Sequence, residues 1–413
     1  MPEPAPTPAH PSSGYYFDVV PIEEAVRIVR TISHQTGTET IPIDDSDGRT
    51  LSEPVIALTD IPGFDRSWRD GYAVLADDIY SASDSAPASL TCLGAVRMGT
   101  PSDQTITSGQ CMYIPTGGQI PEGADAVVMV EYTERLGNTV LIKKPVLEGE
   151  NIIRRDEDFK ASDLIYPASW ILRPQDIGVL ASVGKTRVAV RKNPIIGIIS
   201  TGTELVPAEA IPRPGEVREV NSHLIAVFSR RQGAIPMRYG IIRDNEEELR
   251  LTLTRACQEC DAVIVSGGSS KDRNDITART ISELGEVLVH GISIAPGKPT
   301  IIGKIKDIPV IGLPGHPAST FMVLSLVVIH LIQAMKGSPC QRVFRKRIKM
   351  TTSVPSELGR EQYLRVRIEG DCATPVIGKS GLMNTLAWSD GIIRIPAGDE
   401  GFEAGDEAEV MVW

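Results

Sequence analysis

The sequence predicts a multidomain protein of the α/β plus β class. A parallel-sheet α/β domain is preceded by an extended N-terminal β-rich lobe and followed by a small C-terminal β-barrel-like domain. Three observations carry that prediction. The chain has 413 residues, more than one hydrophobic core ordinarily serves. From Pro194 to Lys336, fully apolar strand-like runs alternate with amphipathic helices, the pattern of a largely parallel sheet covered on both faces. The chain holds 37 glycines and 30 prolines, and outside that stretch such residues cut much of it into short strand-like runs, the texture of antiparallel β structure.

Residues 1–14, MPEPAPTPAHPSSG, lack an apolar signal core and read as a disordered tail. A first helix is expected from Pro21 to about Ser33, with Ile22, Ala25, Val26 and Val29 on its apolar face. It falls in a discontinuous connecting domain, residues 15–46 and 145–192, whose second part holds strand-like ILRPQDIGVL and TRVAV. Residues 47–144 make the β-rich lobe, with LSEPVIAL, DGYAVL, ASLTCLGAV, AVVMVEY and NTVLI as its strands.

The α/β domain spans 193–337. Strand PIIGIIS leads to helix NSHLIAVFSRRQG and strand AIPMRYGII. Helix NEEELRLTLTRACQEC follows, with Asp244 as its N-cap. Strand DAVIVSGG, helix DITARTISELG and strand EVLVHGISI come next, then TIIGKI, IPVIGL and an apolar helix after Pro317. RIKMTTSV, QYLRVRIEG, GIIRIPAG and EAEVMVW supply the β domain of residues 338–413.

Composition excludes several classes of function. Net charge is −11, from 42 basic and 53 acidic residues, which argues against a nucleic-acid partner. The longest apolar run, Phe321 to Ile332, is too short to span a bilayer and contains Ser325 and His330. It reads as a buried helix, so no membrane partner is expected and the chain reads as cytoplasmic. Six cysteines are too sparse for a disulfide framework. Cys257 and Cys260 lie on an expected helix without a second pair at zinc spacing, and His223 and His290 read as helix and strand residues. No phosphate-loop or nucleophile-elbow motif occurs.

The chemistry gathers at strand ends, where open α/β sheets bind ligands. Four turns are expected there: Ser200-Thr201-Gly202-Thr203 with Glu204, Ser266-Gly267-Gly268-Ser269, Pro296-Gly297-Lys298, and Pro314-Gly315-His316-Pro317. Glycine lets successive backbone N–H groups approach an anion. Pro317 suits the first turn of a helix, whose positive end favours phosphate, and Lys298 adds a full charge. Glu204, Asp244, Asp272 and Asp275 stand beside these anion devices. Carboxylates there would repel a phosphate unless Mg²⁺ bridges the two. Any one of them could instead cap a helix.

At this point the chain resembles the MoeA proteins and the E domain of gephyrin, which insert metal into molybdopterin. The matching runs are PGFDRSWRDGYAV, YIPTGGQIPEGADAVVMVE, NIIRRDED, STGTEL, GIIRDNEEEL, SGGSS with Asp275, APGKPTIIG and GLPGHPAS. Taken in this order over nearly the whole chain, they make a specific match. The resemblance implies that the α/β domain binds molybdopterin and that the chain is a homodimer. Each active site would be shared between the α/β domain of one subunit and the lobe of the other. It implies a reaction in which adenylylated molybdopterin and molybdate, or tungstate, give metallated cofactor and AMP, with Mg²⁺ as cofactor.

Under that resemblance Asp70, Thr116, Glu204, Asp244 and Asp275 are the catalytic residues, with Glu204, Asp244 and Asp275 at the metal. Thr201, Gly202, Ser266, Gly267, Gly268, Ser269, Gly297, Lys298, Pro314, Gly315, His316 and Pro317 bind the molybdopterin ligand. A molybdopterin adenylyltransferase is a candidate partner. The chain departs from the family pattern at Arg69 for Met, Asp156 for Gly, Asp272 for Gly and Ala295 for Lys. The charge changes at Asp272 and Ala295 motivate an alternative, a non-catalytic carrier of molybdopterin or its metallated product. A third reading is a stand-alone adenylylating enzyme, against which the β lobe and the GLPGHP turn argue.

Overall fold

The computed structural model describes residues 19–267, 276–339 and 344–413. Its α/β part is a six-stranded sheet in the order Ile235–Ile242, Ile195–Thr201, Ala262–Ser266, Ile308–Leu313, Ile301–Ile305, Glu286–His290. The first four strands run parallel. The last two join antiparallel, Ile301–Ile305 forming a hairpin with Ile308–Leu313.

Apolar residues alternate between the two faces of this sheet. Ile196, Ile198, Ala262 and Ile264 enter one core with Ile22 and Val29 of the N-terminal helix and with the closing helix. Ile199, Val263 and Val265 enter the other with Leu249, Leu253, Ala256 and Ile281. Burial on both faces is why these strands read as unbroken apolar runs.

The closing helix differs from its sequence reading in length. It is continuous from Pro317 to Met335, 19 residues, with a π turn at Leu324–Val328. By length and composition alone it could cross a membrane, yet about two-thirds of it is buried inside the protein. Val323, Leu324, Val327, Leu331 and Ile332 are fully buried in the core. Each such side chain contributes about 1.5–3 kcal/mol of burial. A helix spent on the core in this way is a domain element.

Other sheets build the rest of the chain. The lobe sheet runs in the order Ala126–Met129, Gly71–Val74, Gln110–Ile114, Ala88–Ala95, Thr139–Ile142, Thr133–Leu136 around Tyr72, Leu90, Cys111 and Val128. Thr38–Pro42 pairs antiparallel with Arg187–Arg191, over a core of Leu51, Tyr166, Leu172, Leu180 and Val190. At the C-terminus, Arg345–Met350, Glu361–Glu369, Cys372–Pro375, Gly391–Ile395 and Glu407–Val412 close into a ring. The pairing of Glu361–Glu369 with Gly391–Ile395 completes it.

Four expectations need correction. ILRPQDIGVL holds no long strand: Pro174–Ser182 is a helix. Pro174 occupies its first turn, where a missing N–H costs nothing, and the Asp176 side chain accepts from the Arg173 N–H at 3.0 Å. The cap of the Glu246–Glu259 helix is Asn245, whose Oδ1 accepts from Glu248 N at 3.1 Å; Asp244 is spent elsewhere. EVLVHGISI splits at Gly291, and Ile294–Ala295 pairs with Glu361–Glu369 of the C-terminal sheet. In LSEPVIAL only Val55–Ile56 is a strand, and it pairs with Leu164–Tyr166 outside the lobe sheet.

The family-pattern glycine that Asp156 replaces has a backbone explanation. Asp156 stands at φ 63°, in the left-handed region that glycine enters freely and aspartate better than most other residues.

Candidate functional site

At the carboxyl end of the α/β sheet lies a cavity of about 1200 Å³. Thr201, Gly202, Glu204, Asp244, Ser266, Gly267, Gly297, Lys298, Pro314, Gly315, His316 and Pro317 all line it. Five stretches of sequence, from Thr201 to Pro317, therefore meet at one place. Gly268, Ser269, Asp272 and Asp275 lie outside the described residues.

The turns meet closely because glycine allows it. Gly267 has φ +95°, and a Cβ there would come 2.1 Å from the Thr201 carbonyl oxygen. Any larger residue would push the two turns apart. The third turn follows the short Ile294–Ala295 strand rather than a strand of the main sheet; it still brings Lys298 to the cavity. The fourth turn leads into the closing helix with Pro317 in its first turn. Thr320 Oγ1 donates to the Pro314 carbonyl at 2.6 Å, which fixes the turn against the helix.

Asp244 is pinned by Thr203, whose N–H and hydroxyl both donate to Oδ2, at 3.2 and 2.9 Å. Among the described residues, Oδ1 accepts no hydrogen bond. The Glu204 carboxylate packs against Gly202, within 2.9 Å of where a Cβ would stand. Among the described residues no three acidic, histidine or cysteine side chains gather closely enough to ligate a metal unaided. Mg²⁺ does not need three: one or two carboxylates plus phosphate oxygens and waters suffice. Asp244 and Glu204 on one cavity wall fit that donor set.

Asp70 and Thr116 are paired with each other, away from this cavity. The Thr116 N–H and hydroxyl donate to Asp70 Oδ1, at 2.6 and 2.9 Å. Those bonds, the backbone one foremost, hold the Asp70 carboxyl below its usual range. Beside them the Arg69 guanidinium lies over the Trp68 ring, 4.2 Å from its centre.

The sequence reading missed the cavity's remaining walls. Arg360, Ser380 and Met383 come from the C-terminal β domain, and His316 Nδ1 lies 2.9 Å from Ser380 Oγ. Arg218, Glu219 and Asn221 also face the cavity. Strand-end turns carry a glycine signal, whereas a residue delivered by another domain carries none.

The fold and the cavity define a class: a multidomain protein whose α/β domain carries a cavity at its strand ends, walled in part by a C-terminal β domain. Comparison with known proteins narrows it. Residues 20–184 match the MoeA N-terminal region (domain I and II), 197–334 the "Probable molybdopterin binding domain", and 347–413 the MoeA C-terminal region (domain IV). The chain is 31% identical to the molybdopterin molybdenumtransferase of Bacillus subtilis, over 95% of this chain and 94% of that one. It is 28% identical to that of Staphylococcus aureus strain COL, over 95% of each. A crystal structure of the molybdopterin biosynthesis moeA protein of Pyrococcus horikoshii OT3 superposes with a TM-score of 0.87, at 31% identity over 96% of this chain and 100% of that one. The chain belongs to the MoeA family.

Proposed function

We propose that the chain is a molybdopterin molybdenumtransferase: it binds adenylylated molybdopterin, accepts molybdate or tungstate, and releases metallated cofactor and AMP. The observation that carries the reading is the convergence of glycine- and proline-rich turns, Lys298 and two carboxylates on one cavity. Names of full-length relatives at about 30% identity point the same way.

The residues divide the work by chemistry. In the Pro314–Pro317 turn the N–H groups of Gly315 and His316 donate to phosphoryl oxygens, and Lys298 compensates their charge. The Gly202 and Gly267 N–H groups are spent on the Ile242 and Leu313 carbonyls, so those turns shape the cavity. Asp244, Asp275 and Glu204 would hold Mg²⁺, which when bound would supply charge neutralisation at a phosphoanhydride. Thr203 fixes one oxygen of Asp244 and leaves the other for the cation. His316 holds the Pro314–Pro317 turn against Ser380. Asp70 and Thr116 enter the site from the partner lobe of a homodimer. The chain works in the cytoplasm, and a molybdopterin adenylyltransferase is a candidate partner as the source of its substrate.

The test is AMP release from adenylylated molybdopterin, with and without molybdate, tungstate and Mg²⁺. Release that requires both oxyanion and metal is expected, and the two oxyanions are ranked by rate. Tight binding without release would make the chain a carrier. ATP-dependent adenylylation of unmodified molybdopterin would make it an adenylyltransferase.

A further inference from the structure

One side chain at the cavity does work that none of the turns can do for themselves. Asn221 opens the Asn221–Arg231 helix and is only 7% exposed. Its Nδ2 donates to Ser266 Oγ at 2.8 Å and to the Gly315 carbonyl at 2.9 Å. Two of the anion turns are thus tied together by one amide.

The donor directions follow from chemistry. A carbonyl only accepts, so the Gly315 contact fixes which end of the Asn221 amide is the NH₂. Both of its hydrogens are then spent, one on each turn. Ser266 Oγ must accept the second, so its own hydrogen is not used on Asn221. Among the described residues Ser266 Oγ makes no other hydrogen bond, and Ser266 lines the cavity. The Asn221 Oδ1 is buried without a partner among the described residues. A helix-opening residue that leaves its own acceptor unpaired has been placed for its donors.

We propose that Asn221 is a positioning residue: it clamps the Ser266–Gly267 turn to the Pro314–Gly315 turn and holds the Ser266 hydroxyl as an obligate donor to a phosphoryl oxygen of the ligand. A phosphoryl oxygen only accepts, so a hydroxyl forced to donate matches it, and one free to rotate matches it part of the time. The inference rests on the functional reading above and names one contact within it.

The test is a double-mutant cycle on the full chain, with pyrophosphate and molybdopterin as probes in titration calorimetry. Asn221→Ala and Ser266→Ala are both neutral changes, so neither alters the charge at the site. Each single variant is expected to weaken pyrophosphate binding about tenfold. The double variant is expected to be no weaker than the weaker single one, because both remove the same contact. Melting temperature monitors folding, and Asn221→Leu, which fills the space without polar atoms, replaces the alanine variant should that one unfold. Additive losses, about a hundredfold in the double variant, would overturn the inference and leave the functional reading standing. So would an Asn221→Ala variant that binds like the wild type. Wild-type protein that binds neither probe would overturn both.

Discussion

Two aspartates in different parts of the molecule are held by the same device. In the lobe, Thr116 donates its N–H and hydroxyl to Asp70; in the α/β domain, Thr203 donates the same two groups to Asp244. Each bracket joins chain segments more than forty residues apart. Their surroundings differ. Asp244 lines the cavity beside Lys298, whereas Asp70 is not among the residues lining it. Ordering a side chain costs conformational entropy, and at Asp244 the cavity gives that ordering a purpose within its own subunit. At Asp70 the same ordering makes sense if a second subunit supplies the other half of the site, which is the arrangement proposed above.

The sharpest break of the comparison is at the proposed metal site. Asp244→Asn and Asp275→Asn are each expected to lower Mg²⁺-dependent AMP release about a thousandfold, with melting temperatures close to wild type. An amide keeps the shape and loses the charge that a divalent cation needs. An Asp275→Asn variant that turns over normally would remove that residue from the metal site.

A third aspartate sharpens the contrast by being buried and saturated. Asp176 accepts from Tyr166 Oη, Trp170 Nε1 and the Arg173 guanidinium and backbone. Burial pushes its carboxyl up, but Arg173, Trp170 and Tyr166 outweigh it and hold the value at about 2. Asp176→Ala is expected to cost about 3 kcal/mol of stability in denaturant unfolding, since it leaves buried donors unpaired. Its pH signature has a definite sign. An unfolded aspartate titrates near about 3.9, above the folded value. The contribution is therefore complete above about pH 4 and is lost as the pH falls towards about 2. A variant as stable as wild type at pH 7 would refute this assignment.

Subunit mixing tests the lobe's side of the comparison directly. Asp70→Ala and Asp275→Ala subunits are each expected to be inactive as homodimers. In a mixed dimer one site carries both lesions and the other carries none. Half the dimers are mixed after random exchange, so activity should return to about a quarter of wild type. No recovery after demonstrated exchange would place both residues in the same subunit's site, or Asp70 in none.

How much of this was legible in the sequence depended on where each signal resides. The strand-end turns were legible because glycine and proline are read from local backbone demands, as at Gly267 with φ +95°. The helix at Pro174–Ser182 was missed because Ile, Val and Leu dominate its run. The decisive signals were Pro174 at its first turn and Asp176 reaching back to the Arg173 N–H. Asp244 and Asn245 are neighbours with similar capping preference, and only geometry separates them: Asn245 bonds the helix, Asp244 bonds Thr203. Arg360 and Ser380 carry no local signal at all. They reach the cavity because the C-terminal ring packs against it, a tertiary fact that no window of sequence contains.

The smallest expected effect separates the two brackets most finely. Thr116→Val and Thr203→Val each delete one hydroxyl donor and keep the backbone N–H. At Asp70 the backbone bond is the larger influence on the carboxyl. Losing the hydroxyl should therefore raise the Asp70 value part of the way towards its ordinary range, a change that carboxyl-carbon NMR titration reads directly. The carboxylate remains ionised at neutral pH, so AMP release at pH 7 should fall only about threefold in Thr116→Val. The acid limb of its pH profile should move up with the carboxyl. Thr203→Val should lose more, about tenfold, because the Asp244 carboxylate, held by one bond instead of two, can then swing its other oxygen away from the proposed cation. Equal losses in the two variants would mean that both brackets only shape their turns, and the distinction between a metal-facing aspartate and a partner-facing one would fall.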